Sequence, residues 1–305
     1  MKKTIFILTL LLPFGLLVAQ VDNNYSDVYT NGDDNANSAI SQLGIGLNES
    51  MVRQVGDGNS VDVDQTNLYT KEYDRTWSDI KQQTGANRNS ATVMQVVTIN
   101  RNIPVGGPLI SEIIQHGNDN DAVVNQQGLW LNANTLQNGD NGNAGQYQGF
   151  SKYRRADKAY LSDANIIQRS NVDQGSVAEQ YQTGWQNDAN IDQDAYRSKA
   201  VQIQVNDKWY VTGHRGIDVN QAEIIQKGGG SNIAYQVQYY KVRAVPNDAN
   251  AFQNGSGNYS EEVQFGGYNE SHVRQVGNGN GVDVFQNTNN VPVPGFTNPL
   301  PTNYH

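Results

Sequence analysis

The chain has 305 residues, with 21 Lys and Arg against 30 Asp and Glu, a formal charge of −9 and an apolar fraction of only 37%. It has no cysteine, which excludes disulfide staples and a lipid-modified cysteine anchor, and an acidic surface is a poor partner for nucleic acid. Asn, Gln, Gly and Ser fill the composition as they do in prion-like or disordered segments, so a folded reading requires a period.

Residues 1–19 read as a secretory signal peptide. Lys2 and Lys3 supply a positive start, Ile5 to Val18 is nearly all apolar, and the small Ala19 marks a cleavage site. The stretch is too short and too soon followed by polar sequence for a membrane span. The mature chain is therefore expected outside the cell, with no membrane insertion and no covalent staple.

The repeat occupies residues 20–286. VRQVGDGNSVDVDQ at 52–65 returns as VRQVGNGNGVDVFQ at 273–286, altered only at Asp57/Asn278, Ser60/Gly281 and Asp64/Phe285. Both belong to a unit in which Gln is followed by Gly two residues on, Asn five residues on and another Gln eleven residues on. In chain order the unit begins loosely with Gln42, Gly44 and Asn48, then becomes strict at Gln54, Gly56, Asn59 and Gln65. Asn89 and Gln95 keep the phase, and Gln115, Gly117, Asn120 and Gln126 repeat it in full. So do Gln182, Gly184, Asn187 and Gln193, and after them comes a looser copy in Asn220, Gln226, Gly228, Asn232 and Gln238. The last stretch is unbroken: Asn247, Gln253, Gly255, Asn258, Gln264, Gly266, Asn269, Gln275, Gly277, Asn280 and Gln286.

Between each Asn and the next Gln the pattern alternates with period two, as a strand requires. Asn269, Ser271, Val273 and Gln275 fall on one face, and Glu270, His272 and Arg274 on the other. Extending the frame gives twenty seven-residue segments, and the third residue is Ala or Ser in all but the two that carry Val61 and Val282. A strand of seven and a turn of four make a half-coil, so a coil takes about 22 residues and the chain holds roughly ten. The expected fold is all-β: a two-sheet β-solenoid of stacked strand-turn-strand coils, with neighbouring strands about 4.8 Å apart. Ala and Ser at the third position let the two sheets approach. Val52, Ile191 and Ile224 at the fifth fill the space between them, and amides take that position elsewhere. Asn and Gln at the strand ends stack on their copies, each donating to one neighbour and accepting from the other, which satisfies groups that are costly to bury alone. The glycines supply the positive φ of tight turns.

Long insertions fall at about 66–75, 96–108, 149–161, 205–219 and 239–246, always after an even-numbered segment. With two strands per coil, all of them lie on one edge. Two carry features of a binding surface: Lys152, Arg154, Arg155 and Lys158 in one, Trp209 and Tyr210 in another. They form a candidate adhesive strip for a polysaccharide or host surface, against the plainer reading of solvated loops. Residues 287–305 contain Pro292, Pro294, Pro299 and Pro301, which cannot continue a ladder, and read as an extended tail.

These residues resemble the curlin repeat, Ser/Asn-x5-Gln-x-Gly-x4-Asn-x5-Gln, over most of 24–286. The resemblance implies a subunit of extracellular amyloid fibres of the biofilm matrix, exported through an outer-membrane pore and nucleated by a minor surface-bound subunit. The final coil keeps Asn269, Gln275, Asn280 and Gln286, as in a major polymerising subunit. The chain departs from the pattern at Thr30, where Gln is expected, and at Glu262, an acid on the inner face that reads as local misregister.

Chemistry has little foothold in the pattern. The four histidines, His116, His214, His272 and His305, have no second ligand at metal-binding spacing, so neither a metal nor a cofactor is expected. Asp62 and Asp64 alternate on an outer face, and Asp57, Asp119 and Asp188 are assigned to turns, where charge discourages premature edge pairing. No catalytic dyad or triad emerges, so the chain is not expected to be an enzyme. A fibre subunit leads, and a monomeric β-solenoid adhesin or ligand-binding module is the alternative. An ice-binding surface is disfavoured because the outward positions are mixed.

Overall fold

The computed structural model describes residues 17–19, 24–33, 35, 38–44, 46–67, 75–83, 87–97, 107–149, 159–169, 175–206, 220–240 and 247–288. The protein is all-β, and every regular element among these residues is a strand. Nearly every pairing is parallel and joins a strand to the next but one in sequence, the order expected of a solenoid-like stack.

Two runs of pairing result. The first takes β2 (Asn24–Asn31), β4 (Leu47–Val55), β6 (Arg75–Gln82) and β8 (Leu109–His116) to the C-terminal half of β9 (Asp121–Asn138). It continues through β11 (Ala159–Gln168), β13 (Asn187–Asp194), β15 (Asn220–Lys227) and β17 (Asp248–Asn254) to β19 (Glu270–Val276). The second takes β3 (Ser38–Gly44), β5 (Ser60–Asn67) and β7 (Ser90–Val97) to the N-terminal half of β9. It continues through β10 (Asn143–Gln148), β12 (Val177–Trp185), β14 (Lys199–Asn206) and β16 (Ile233–Tyr240) to β18 (Tyr259–Phe265) and β20 (Gly281–Asn287). Because β9 serves both runs, all the strands form one 20-stranded sheet.

β9 merges two segments that the periodicity separates. Its corner is made by Gly128 and by Trp130, which sits at φ +58° without being a glycine. A short strand β1 (Leu17–Ala19), inside the expected signal peptide, pairs in parallel with the outer edge of β3, Ala19 lying opposite Gln42.

Register is fixed by what each strand buries. Alternation is strict in β8, where Leu109, Ser111, Ile113 and Gln115 are inside, and in β13, where Asn187, Ala189, Ile191 and Gln193 are. A slip of one residue would turn every one of these outward. The small third residues, such as Ala91, Ala122 and Ala133, pack with Val52, Val63, Ile80, Val93, Ile113 and Val124 in one apolar cluster. Alternation does not hold everywhere. The outward residues Val201, Ile203, Tyr235 and Val237 of β14 and β16 are also buried, in an apolar cluster of their own joined by Tyr181 and Val263. Both faces of these strands are therefore covered.

The five insertions expected from the period, within 68–74, 98–106, 150–158, 207–219 and 241–246, each connect a strand of the second run to the next strand of the first. The opposite connections run to eight residues at most, the longest being 169–176 between β11 and β12. All eight glycines assigned to turns have positive φ. At Gly255 two constraints coincide, since φ is +129° and an added Cβ would stand 2.0 Å from the carbonyl oxygen of Gly277 in the turn stacked on it. Gly257 has φ +65° and nothing within 4 Å of such a Cβ. Gly257→Ala should therefore cost only about 1 kcal/mol, the left-handed penalty for an L residue. Gly255→Ala should cost about 3 kcal/mol or more from strain plus clash. Urea unfolding of freshly purified monomer gives both values.

Candidate functional site

The feature that runs the length of the molecule is a set of buried amide columns. In the second run Gln42 donates from Nε2 to Oε1 of Gln65, and the relay passes through Gln95, Gln126, Gln148, Gln182, Gln204, Gln238 and Gln264 to Gln286, every link 2.8–3.0 Å. In the first run an identical relay goes from Gln54 through Gln82, Gln115, Gln137, Gln168, Gln193, Gln226 and Gln253 to Gln275, again at 2.8–3.0 Å. Thr30, which breaks the repeat, lies opposite Gln54 at the head of this column.

Each amide has a second N–H, and it crosses to the other run. Gln65 donates to Glu49 O at 2.9 Å, Gln95 to Trp77 O at 3.0 Å, and Gln82 to Ser60 O at 3.2 Å. The glutamines therefore tie successive strands within a run and also tie the runs to each other. Almost all are fully buried. A buried primary amide left without partners costs several kcal/mol, so periodic placement is the condition for burying it at all.

Asparagines do the equivalent work at the strand starts. Oδ1 of Asn59 accepts the backbone N–H of Asn89, and Oδ1 of Asn89 that of Asn120. Asn232, Asn258 and Asn280 form a like series, as do Asn220, Asn247 and Asn269. Asn48 donates to Asn24 Oδ1 and Asn220 to Asn187 Oδ1. The side-chain N–H groups also close the turns, Asn120 on Gly139 O at 2.7 Å and Asn247 on Gly266 O at 2.8 Å.

A third column, absent from the strict repeat, occupies the fifth position of the second run's C-terminal half. Gln146 donates to Gln180, Gln180 to Gln202, Gln202 to Gln236, and Gln236 to Oε1 of Glu262. Its ends explain themselves. Val124 precedes Gln146 and has no donor, so Thr135 of the other run donates to Gln146 Oε1 at 3.0 Å. Val284 follows Glu262 and accepts nothing. A residue here must accept from Gln236 and has no amide after it in the column to donate to, which a carboxylate satisfies. Oε2 of Glu262 takes the hydroxyl of Ser271. Glu262 is thus in register and fully buried, and the misregister expected there is not observed. Burial pushes its carboxyl up to about 6, against the opposing hydrogen bonds from Ser271 and Gln236.

The remaining sequence assignments divide. Gln82, Gln137, Gln148, Gln168 and Gln204 complete the columns without belonging to strict units, and their signal is phase alone. Asp119 lies in a turn and takes a two-pronged contact from Arg88, which holds its carboxyl below the usual carboxylate range. Asp188 is not in a turn but in β13, opposite Asp163 of β11, and burial with the neighbouring Asp163 and Glu223 raises its carboxyl. Asp62 and Asp64 face outward as expected. Lys152, Arg154, Arg155, Lys158, Trp209 and Tyr210, the part of the expected signal peptide before 17 and the part of the expected tail after 288 lie outside the described residues.

At the C-terminal end both columns stop in the open. Among the described residues β2 pairs only with β4, β19 only with β17, and β20 only with β18, while β3 carries β1 on its outer edge. Asn280 and Gln286 are only half-buried. Val28 is 38% exposed, Tyr29 52% and Phe285 64%. The chain matches no protein-family model and no curated protein.

Gln126→Leu should orphan the donor of Gln95 and the acceptor of Gln148 together, costing about 2–5 kcal/mol. Gln286→Leu at the open end should cost less than about 1 kcal/mol. Urea midpoints at constant slope separate the two.

Glu262 sets a pH dependence. Its folded value is raised from 4.5 to about 6, so between these values the folded state binds more protons than the unfolded. Stability falls as pH rises through this window, by about 2 kcal/mol in total, and is flat above and below it as far as this group is concerned. Glu262→Gln should remove that component, as urea titrations at pH 4 and pH 7 will reveal.

Proposed function

We propose that this chain is a secreted structural subunit that assembles with copies of itself into extracellular amyloid fibres of the curli type. Its fold is then a two-sheet β-solenoid of about ten coils, each run of pairing being one sheet. The observation that carries the reading is that two relays of buried glutamine amides run from end to end, and that their last members, Gln275 and Gln286, lie on strands with no further partner among the described residues. An exposed row of backbone N–H and C=O groups is a template for another strand, and a soluble monomer normally blocks it. Here the ends also expose Val28, Tyr29 and Phe285, side chains that an added coil would cover.

Growth is strand addition. Each new coil continues the backbone ladder and the amide relays, which is what stabilises cross-β assemblies. No bond is made or broken, so no enzyme activity is assigned. The resemblance to the curlin repeat and the leader at 1–19 support export, with an outer-membrane pore, a nucleating subunit and a polysaccharide or host surface as further partners. The five insertions all join the same pair of strand ends, which suits an adhesive strip along one edge.

Purified chain freed of residues 1–19, followed by thioflavin fluorescence and electron microscopy, should show lag-phase growth of unbranched fibres, abolition of the lag by seeds, and a 4.8 Å meridional reflection. Persistent monomer at high concentration would instead establish the single-molecule adhesin.

A further inference from the structure

The repeated phrase has a structural counterpart at the two ends. The tight turn 255–258 stacks on 277–280, with the backbone N–H of Ser256 donating to Asn278 Oδ1 at 2.8 Å. At the other end Gly32, Asp33 and Asn35 lie on 56–59, with the N–H of Asp33 donating to Asp57 Oδ1 at 2.8 Å. In both pairs an added Cβ on the first glycine, Gly255 or Gly32, would stand 2.0 Å from the carbonyl oxygen of its partner, Gly277 or Gly56. The first and last turns are therefore members of one stacking series.

The side-chain columns also have a direction. Every glutamine donates toward the C-terminus, so Gln286 ends its column with no glutamine to donate to, and Gln42 begins it with none donating to it. Two C-terminal ends would set donor against donor, and two N-terminal ends acceptor against acceptor. Only a C-terminal end on an N-terminal end extends the relay.

We propose that β19 and β20 of one copy dock in parallel register on β2 and β3 of the next, setting Gln286 opposite Gln42, His272 opposite Asp27 and Arg274 opposite Tyr29, so that the fibre is polar. This inference rests on the fibre-subunit reading. Continuing the register already present, Ser271 meets Ser26 and Val273 meets Val28, like on like. Gln275 meets Thr30, whose hydroxyl accepts from one amide and donates to another, so the departure from the repeat falls where it is tolerated.

The outer face is complementary as well. Arg274 lies over the ring of Phe252 at 5.7 Å, and Arg53 over Tyr29 at 5.8 Å. Joining the ends produces one alternating column, Phe252, Arg274, Tyr29, Arg53, in which each cation has an aromatic neighbour. His272 faces out beside Asn250 and Glu270, and the docked copy brings the carboxylate of Asp27 to its open side. The edge of β3 is competent for a parallel partner, because β1 already pairs there. Loss of residues 1–19 clears it for β20.

The chain has no native cysteine, so introduced thiols report the junction. In fibres grown from an equal mixture of Asp27→Cys and His272→Cys chains, mild oxidation should give dimers linked 27 to 272. Links of 27 to 27 or 272 to 272, or fibres without links, would overturn this register while leaving the fibre reading intact. Failure of the unaltered chain to form any fibre would overturn both. As a second measurement, Asp27→Lys should slow seeded elongation about two- to fivefold, the weight of one cross-strand charge pair, and His272→Glu in the same chain should restore it. Absence of that rescue would also sink the pairing.

Discussion

A side-chain amide is a donor and an acceptor at once, and it is expensive to bury unless both are used. This protein meets the constraint by repetition along one axis. Gln126 accepts from Gln95, donates to Gln148, and spends its remaining N–H on Ile110 O of the facing run. Nothing in that local arrangement is unusual, yet it works only if the next strand offers the same group at the same height. Parallel, in-register stacking follows from this need, and so does a core in which small Ala and Ser residues are about as common as large apolar ones. Val52, Ile80, Ile113 and Ile191 fill the space that remains.

The same constraint explains why the ends matter. A relay with direction has a first and a last member, and each needs a solution. The third column is closed inside the chain, by Thr135 at its head and Glu262 at its foot. The two long columns are not closed within the chain. Their last members sit at unpaired edges, and the chemistry that stabilises the interior is there left unfinished. Self-association completes it with the groups the protein already uses, whereas an unrelated partner has to imitate them.

Much of this was readable from spacing. The phase of Gln, Gly and Asn locates the strands, the positive-φ glycines and the edge that bears the longest insertions, because each depends only on period and on residue type. Three features were not. The continuous β9 passes its corner at Trp130, a residue no turn rule selects. The role of Glu262 depends on the direction in which the amides donate, and sequence carries no sign of that direction. The covered outer face of β14 and β16, with Val201, Ile203, Tyr235 and Val237, breaks simple alternation for reasons of packing between non-adjacent segments. Asp188 shows the complementary error, since an Asx residue after glycine suggests a turn while pairing with β11 draws it into a strand.

Hydrogen exchange at the glutamine side chains is the most direct measurement of the central claim. In the monomer, the Nε2 protons of Gln126, Gln148 and Gln182 should exchange as slowly as the backbone amides of β9 and β12, while those of Gln286 exchange near the free rate. Fast exchange at all of them, with a protected backbone, would show strands held together without the amide relay and would contradict this account.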